Sequence, residues 1–165
     1  MRALRAFFVG LVLCGVAMAL ALTPQPAESR SPQDMQGMNM GPAADEGVPA
    51  YHELAPRGVL PATMSPDAFN DPVVRNAYTV AARIKKTLYQ QPCYCHCDRS
   101  QGHGSLLDCF VSKHGAGCQI CIREDLYAYE QTRKGKTPAQ IRTGIIHGEW
   151  QSVDVSKYTS PLVAK

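Results

Sequence analysis

The chain has 165 residues and a formal net charge of +3, a length that fits one compact domain with appendages. Two of the positive charges, Arg2 and Arg5, lie in an N-terminal stretch with the features of a removable leader. Without them the charge falls to about +1, which excludes the clustered basic face that nucleic acid requires.

Residues 1–22 begin with a short basic segment and continue from 6 to 22 as an apolar run. Ala17, Ala19 and Ala21 supply A-x-A cleavage patterns just before Thr23. The segment reads as a secretory signal. The competing reading is an uncleaved membrane anchor, because the run approaches the ~20 residues that span a bilayer. Cys14 lies within this run behind Leu13, where a bacterial lipobox has a small residue, so it reads as signal-peptide filler. Either reading exports the rest of the chain to a periplasmic or other extracytoplasmic space, where disulfides persist and copper is handled.

Residues 23–64 are rich in Pro, Gly, Ala, Ser and acidic residues and show no helical or strand period, so they read as a disordered linker. Met35, Met38 and Met40 fall within it. Thioethers are soft donors suited to Cu(I), and a flexible chain can wrap three of them around one ion. The plainer reading is a linker that contains oxidation-prone methionine.

The ordered domain is expected over 65–150. Ser65-Pro66 and Asp71-Pro72 are cap-and-proline starts. Val73, Ala77, Val80, Ala81, Ile84 and Leu88 fall on one helical face, with Arg75, Thr79, Arg83, Lys86 and Gln90 opposite. This predicts one amphipathic helix that stops before Pro92. A short helix over 105–111 would bury Leu106, Leu107, Phe110 and Cys109. A turn at Gly115 and Gly117 leads to a helix over 119–134, with Ile122, Leu126 and Tyr129 on one face and Gly135 as its stop. Thr137 and Gln140 form a capping box around Pro138 and open a last helix carrying Ile141, Ile145 and Trp150. In the tail, 151–165, Val153, Val155 and Tyr158 alternate like a short strand. The expected fold is mainly α: a small domain of three main helices around a Cys-rich loop centre, preceded by the signal or anchor and the linker.

Residues 93–121 hold six of the seven cysteines. Free cysteine is kept for its reactivity more often than for packing, so these thiols bind soft metals, exchange electrons or pair as disulfides. In an extended strand Cys93, Cys95 and Cys97 would share a face with the outer two about 13 Å apart. Thiolates on one ion sit within about 4 Å of each other. Hence either the chain curls after Pro92 or the three serve different partners. Cys118 and Cys121, three apart at a helix start, point to one side, where the helix dipole favours thiolate. A C-x-x-C of this kind is common to zinc knuckles and thiol oxidoreductases; joined to C-x-C-x-C upstream it becomes a two-jaw pattern.

His103, flanked by glycines, and His114, four residues before Cys118, can each supply an imidazole, or else bond to loop backbone. His96 would face away from its flanking cysteines in a strand, and His52 and His147 read as surface residues. Asp108 can bond a backbone amide or a histidine. No paired carboxylates, nucleophile–base motif or phosphate-binding glycine loop stands out.

Pro92-Cys93-Tyr94-Cys95-His96-Cys97, followed by Gly102-His103, Asp108-Cys109-Phe110-Val111 and Cys118 with Cys121, resembles the CYCXC family, also described by its PCYCGC motif, over about 65–150. The resemblance implies an exported or membrane-anchored bacterial protein. Some relatives have selenocysteine in place of a cysteine, which favours a chemically active centre. The chain departs at His96, where the commoner motif has glycine, which leaves open whether the backbone there takes a conformation that requires glycine.

Three readings follow. The first is an exported cell-envelope protein that binds a soft metal ion, Cu(I) before Zn(II), through Cys93, Cys95, Cys118 and Cys121, with Cys97, Cys109, His103 and His114 as further ligands or Cys97 and Cys109 as a disulfide. Its partners would be the ion and an envelope metal-handling or redox protein. The second is a thiol–disulfide protein with Cys118 or Cys93 as a low-pKa nucleophile. The third is a helical domain stabilised by three disulfides in one of 15 connectivities.

Overall fold

Asp71 starts the first helix as the cap-and-proline pattern requires: its Oδ1 accepts from the N–H groups of Val73 and Val74 at 2.8 and 3.0 Å, with Pro72 at the first helical position. The computed structural model describes residues 47–162. Five α-helices lie among them: α1 Pro72–Arg83, α2 Lys85–Leu88, α3 Cys97–Gln101, α4 Gln119–Arg133 and α5 Pro138–Ile146. Short 3-10 turns join them, and no strand occurs among the described residues. The domain is mainly α.

The apolar face of α1 buries Ala77, Val80 and Ala81 against α4, whose Ile122 and Leu126 are fully enclosed. Instead of one helix to Leu88, the chain breaks at Ile84, which leaves helical geometry (φ −114°, ψ 28°) before α2 resumes and buries Leu88. No proline or glycine marks that break. The capping box at Thr137 forms, and Gly135 takes a positive φ of 78° just past α4. Helix α5 ends at Ile146, short of Trp150, because Gly148 turns the chain with φ 76°. Gly144 lets α5 approach α4, since a Cβ there would collide with the Tyr127 hydroxyl.

The expected alternation at Val153, Val155 and Tyr158 is not a strand. Asp154 caps a 3-10 turn, Val155–Tyr158, by accepting from Ser156 N–H, and no second strand is present among the described residues to pair with it. Asn76 on α1 holds this tail by donating to the carbonyls of Tyr158 (2.6 Å) and Ser160 (2.8 Å).

Residues 47–64, assigned to the linker by composition, have no helix or strand. They nevertheless make specific contacts. Ala50 N–H donates to Asp98, His52 stacks on Tyr89 with ring centroids 3.9 Å apart, and Met64 N–H donates to the Phe110 carbonyl at 2.8 Å. Composition gives no sign of these contacts, which depend on partners far along the chain. No helix among the described residues is long and apolar enough to cross a membrane. The apolar run 6–22, Cys14 and the Met35, Met38 and Met40 cluster lie outside the described residues.

Candidate metal centre

After Pro92 the chain curls. His96 N–H donates to the Cys93 carbonyl at 3.1 Å, and His96 itself is left-handed (φ 54°), the only non-glycine residue with positive φ among those described. The motif's glycine position thus keeps the conformation glycine favours, and histidine is one of the residues that enter it most readily. The curl closes the span an extended strand would impose: Cys93 Sγ stands 3.3 Å from Cys95 Sγ. Cys97 opens α3, a helix the apolar pattern does not announce.

The second jaw forms as expected. Cys118 caps α4, its sulfur accepting from Cys121 N–H at 3.5 Å. Cys121 points back into the curl, with its sulfur 3.5 Å from both Cys93 and Cys95. Three sulfurs from two separate turns therefore form a nearly equilateral triangle. Tetrahedral thiolates on one ion, with bonds of about 2.3 Å, stand about 3.8 Å apart, so little movement separates this triangle from a ligand set.

A third segment completes the centre. The 3-10 turn Leu106–Phe110 carries buried Cys109, whose sulfur lies 3.3 Å from Cys97 Sγ and 3.4 Å from His103 Nδ1. Asp108 fixes this loop with one carboxylate oxygen, which accepts from Gly104 N–H at 2.8 Å and Ser105 N–H at 3.2 Å, so of its two expected partners it takes backbone. Gly115 admits the next turn, His114–Gly117, because a Cβ there would meet the Cys109 carbonyl at 2.9 Å. Tyr78 braces the same turn, donating to the Ser112 carbonyl at 2.6 Å and accepting from Ala116 N–H at 3.1 Å. The His103 and His114 rings meet edge to face at 5.0 Å.

Within 4.8 Å of one another lie the donor atoms of Cys93, Cys95, Cys97 and Cys109; of Cys95, Cys109, His114 and Cys121; and of Cys97, His103, Cys109 and His114. Seven of the eight residues singled out by sequence are in these groups. Cys118 is in none of them and stays at the rim, half-buried like Cys95, whereas Cys93, Cys97, Cys109 and Cys121 are buried. All six cysteines among the described residues are free of disulfides.

Crowding splits their acidities. Cys95 is pulled below the usual thiol range by hydrogen bonds from Cys109, Cys118, Cys121 and Cys93, and Cys97 is lowered chiefly by its bond with Cys93. Cys121 is pushed up by its bonds to Cys109 and Cys118. Cys118 is raised too: its bond with Cys121 lowers it, but donation toward Cys95 and burial outweigh that. Cys93 is likewise raised, donation to Cys121 and Cys95 overriding the lowering effect of Cys109. The helix-start thiolate expected at Cys118 or Cys121 is therefore not favoured, because neighbouring sulfurs act more strongly than the helix end. The lowered thiols are Cys95 and Cys97, both in the first jaw.

Glu124, outside the cysteine and histidine pattern, braces the site. It is fully buried, and its Oε1 accepts from Tyr94 N–H at 2.8 Å, tying the first jaw to the helix that bears the second. Its other oxygen, Oε2, is buried without a hydrogen-bond partner, and burial pushes the carboxyl up to about 8. The signal was present: Glu124 follows Cys121 by three residues, which puts the two on one helical face.

Comparison with curated proteins and with solved structures yields no match. The family described as "Protein of unknown function with PCYCGC motif" matches residues 51–152, more than half of the chain and the whole of the sulfur centre. This chain therefore belongs to the PCYCGC-motif family.

Proposed function

We propose that this chain is an exported cell-envelope protein that binds a soft metal ion through clustered cysteine thiolates, Cu(I) in preference and Zn(II) next. The observation behind this reading is the triangle of Cys93, Cys95 and Cys121 sulfurs at 3.3 to 3.5 Å, contributed by two turns 28 residues apart. Three thiolates this close repel each other unless a cation stands in for the protons they have lost, and soft sulfur donors select Cu(I). Cys95 and Cys118, half-buried at the rim, are the thiols an envelope metal-handling partner can reach. The apolar run 6–22 supports export, as a signal or as an anchor, and Met35, Met38 and Met40 would add soft donors ahead of the domain.

A thiol–disulfide activity is the weaker reading: an attacking cysteine needs a depressed pKa, the two nucleophiles nominated for it, Cys118 and Cys93, are raised, and only Cys95 and Cys97, both lowered, are left to carry it. To test the metal reading, the full chain is purified under argon with its thiols reduced, exposed to Cu(I) or Zn(II), and weighed by native mass spectrometry. Retained Cu(I) that Zn(II) does not displace is expected. A fully reduced protein that retains neither ion overturns it.

A further inference from the structure

Seven donor atoms are too many for one ion, and they divide unevenly in chemistry. Cys93, Cys95 and Cys121 lie 3.3 to 3.5 Å apart, and Cys109 is within 4.8 Å of each of them. That makes one set of four sulfurs. Cys97, His103, Cys109 and His114 make a second set of two sulfurs and two imidazole nitrogens, again within 4.8 Å. The two sets share one atom, Cys109 Sγ, which is fully buried between them.

Resting on the metal-binding reading above, we infer that the centre holds two ions bridged by the Cys109 thiolate: one in an all-sulfur subsite with Cys93, Cys95 and Cys121, and one in a sulfur–imidazole subsite with Cys97, His103 and His114. Spacing fits. A tetrahedral ion with bonds of about 2.3 Å to sulfur and 2.0–2.1 Å to nitrogen separates its donors by about 3.3–3.8 Å. In the second set the Cys97–Cys109 and His103–Cys109 distances are 3.3 and 3.4 Å. His114 supplies an independent pointer, because its Nε2 is buried with no hydrogen-bond partner, and a buried acceptor or donor is costly to leave unmade.

Charge argues the same way. One Zn(II) with four thiolates leaves two uncompensated negative charges in a buried pocket, beside a fifth thiol and two imidazoles without an ion. A second Zn(II), taking the Cys97 thiolate and two neutral imidazoles, brings the formal total to minus one, and buried charge is tolerated only when it is paired. The donor sets also differ in softness: sulfur alone suits Cu(I), while mixed sulfur and imidazole suits Zn(II). The pair can therefore hold two different metals. Loading replaces thiol protons by metal–sulfur bonds and releases those protons to solvent, with no change in oxidation state.

The test titrates the full, reduced chain with Zn(II) under argon and counts ions by native mass spectrometry, then records X-ray absorption at the zinc edge. Two zinc ions per chain are expected, with imidazole scattering in the spectrum. In a His103→Gln/His114→Gln variant, with helicity checked by circular dichroism, the count drops from two to one and the remaining shell is sulfur alone. One ion per chain in the wild-type protein, in an all-sulfur shell, overturns the second subsite and leaves the metal-binding reading standing. No bound zinc overturns the two-ion centre and leaves the Cu(I) reading to its own test. Two ions with no imidazole scattering, or two retained by the double variant, overturn the histidine assignment, and the spectrum of the wild-type protein decides this even where the variant does not fold.

Discussion

Cys118 and Cys121 stand three residues apart at the start of α4, where helical geometry alone turns both to one side. Cys93, Cys95 and Cys97 stand two apart in a segment with no such geometry, and they converge only because the chain curls through a left-handed His96 and is pinned to Glu124. The first jaw is thus built by distant contacts and the second by local periodicity. A locally built jaw tolerates changes elsewhere in the domain. One built by distant contacts can be opened without touching a sulfur.

Removing sulfurs from both jaws at once has the largest expected effect. Cys95→Ser/Cys121→Ser breaks all three sides of the sulfur triangle and should abolish Cu(I) retention in competition with a chelator. Retention at the wild-type level would mean that the two jaws do not share an ion. Next is Glu124→Ala, which frees Tyr94 N–H and loosens only the first jaw. Loss of such a supporting bond typically weakens metal binding by about 10- to 100-fold, and the same competition titration measures it. An unchanged affinity would show that the curl holds without help from α4.

Asp125 sharpens the contrast within α4 itself. It neighbours Glu124 and is equally buried, yet neither of its oxygens has a hydrogen-bond partner, and burial raises its carboxyl well above the ordinary value of 3.8. Below about pH 3 the carboxyl is protonated in both folded and unfolded chains, so Asp125→Asn should change little there. As pH rises, the unfolded chain ionises while the folded one keeps its proton, and the wild-type protein loses stability relative to the variant. Melting curves of the metal-free protein should therefore separate by a few degrees at pH 8 and coincide at pH 3; a constant gap would exclude a charge effect.

The smallest change is expected at His96. A left-handed backbone costs a side-chain-bearing residue roughly 1–2 kcal/mol, and glycine repays part of that in lost backbone entropy. His96→Gly should stabilise the fold by less than about 1 kcal/mol in denaturant unfolding and leave the metal count unchanged. A marked loss of stability would show that the imidazole, edge-on to Tyr94 at 6.0 Å, does more for the curl than the backbone costs.

Much of the scaffold was legible because its signals are local. Asp71-Pro72, the Thr137 capping box, Gly135 and the buried set Leu106, Leu107 and Phe110 each declare themselves within a few residues. The break at Ile84, helix α3 and the early end of α5 were not legible. The break at Ile84 has no proline or glycine to announce it, α3 has only Gly102 at its end and no apolar period within it, and at Gly148 the apolar pattern continues past the turn to Trp150.

For the centre the division is similar. Cysteine and histidine spacing by itself nominated the residues that the donor groups contain, Cys118 excepted, and it determined the geometry of Cys118 and Cys121, because a helix start has one shape. Only the tertiary structure decided that Cys109 lies between the two donor sets, that Cys118 stays at the rim and that Glu124 anchors the curl. Those relations join atoms as much as 30 residues apart, and distances across such loops are set by packing against α1 and α4, which no spacing rule along the chain encodes.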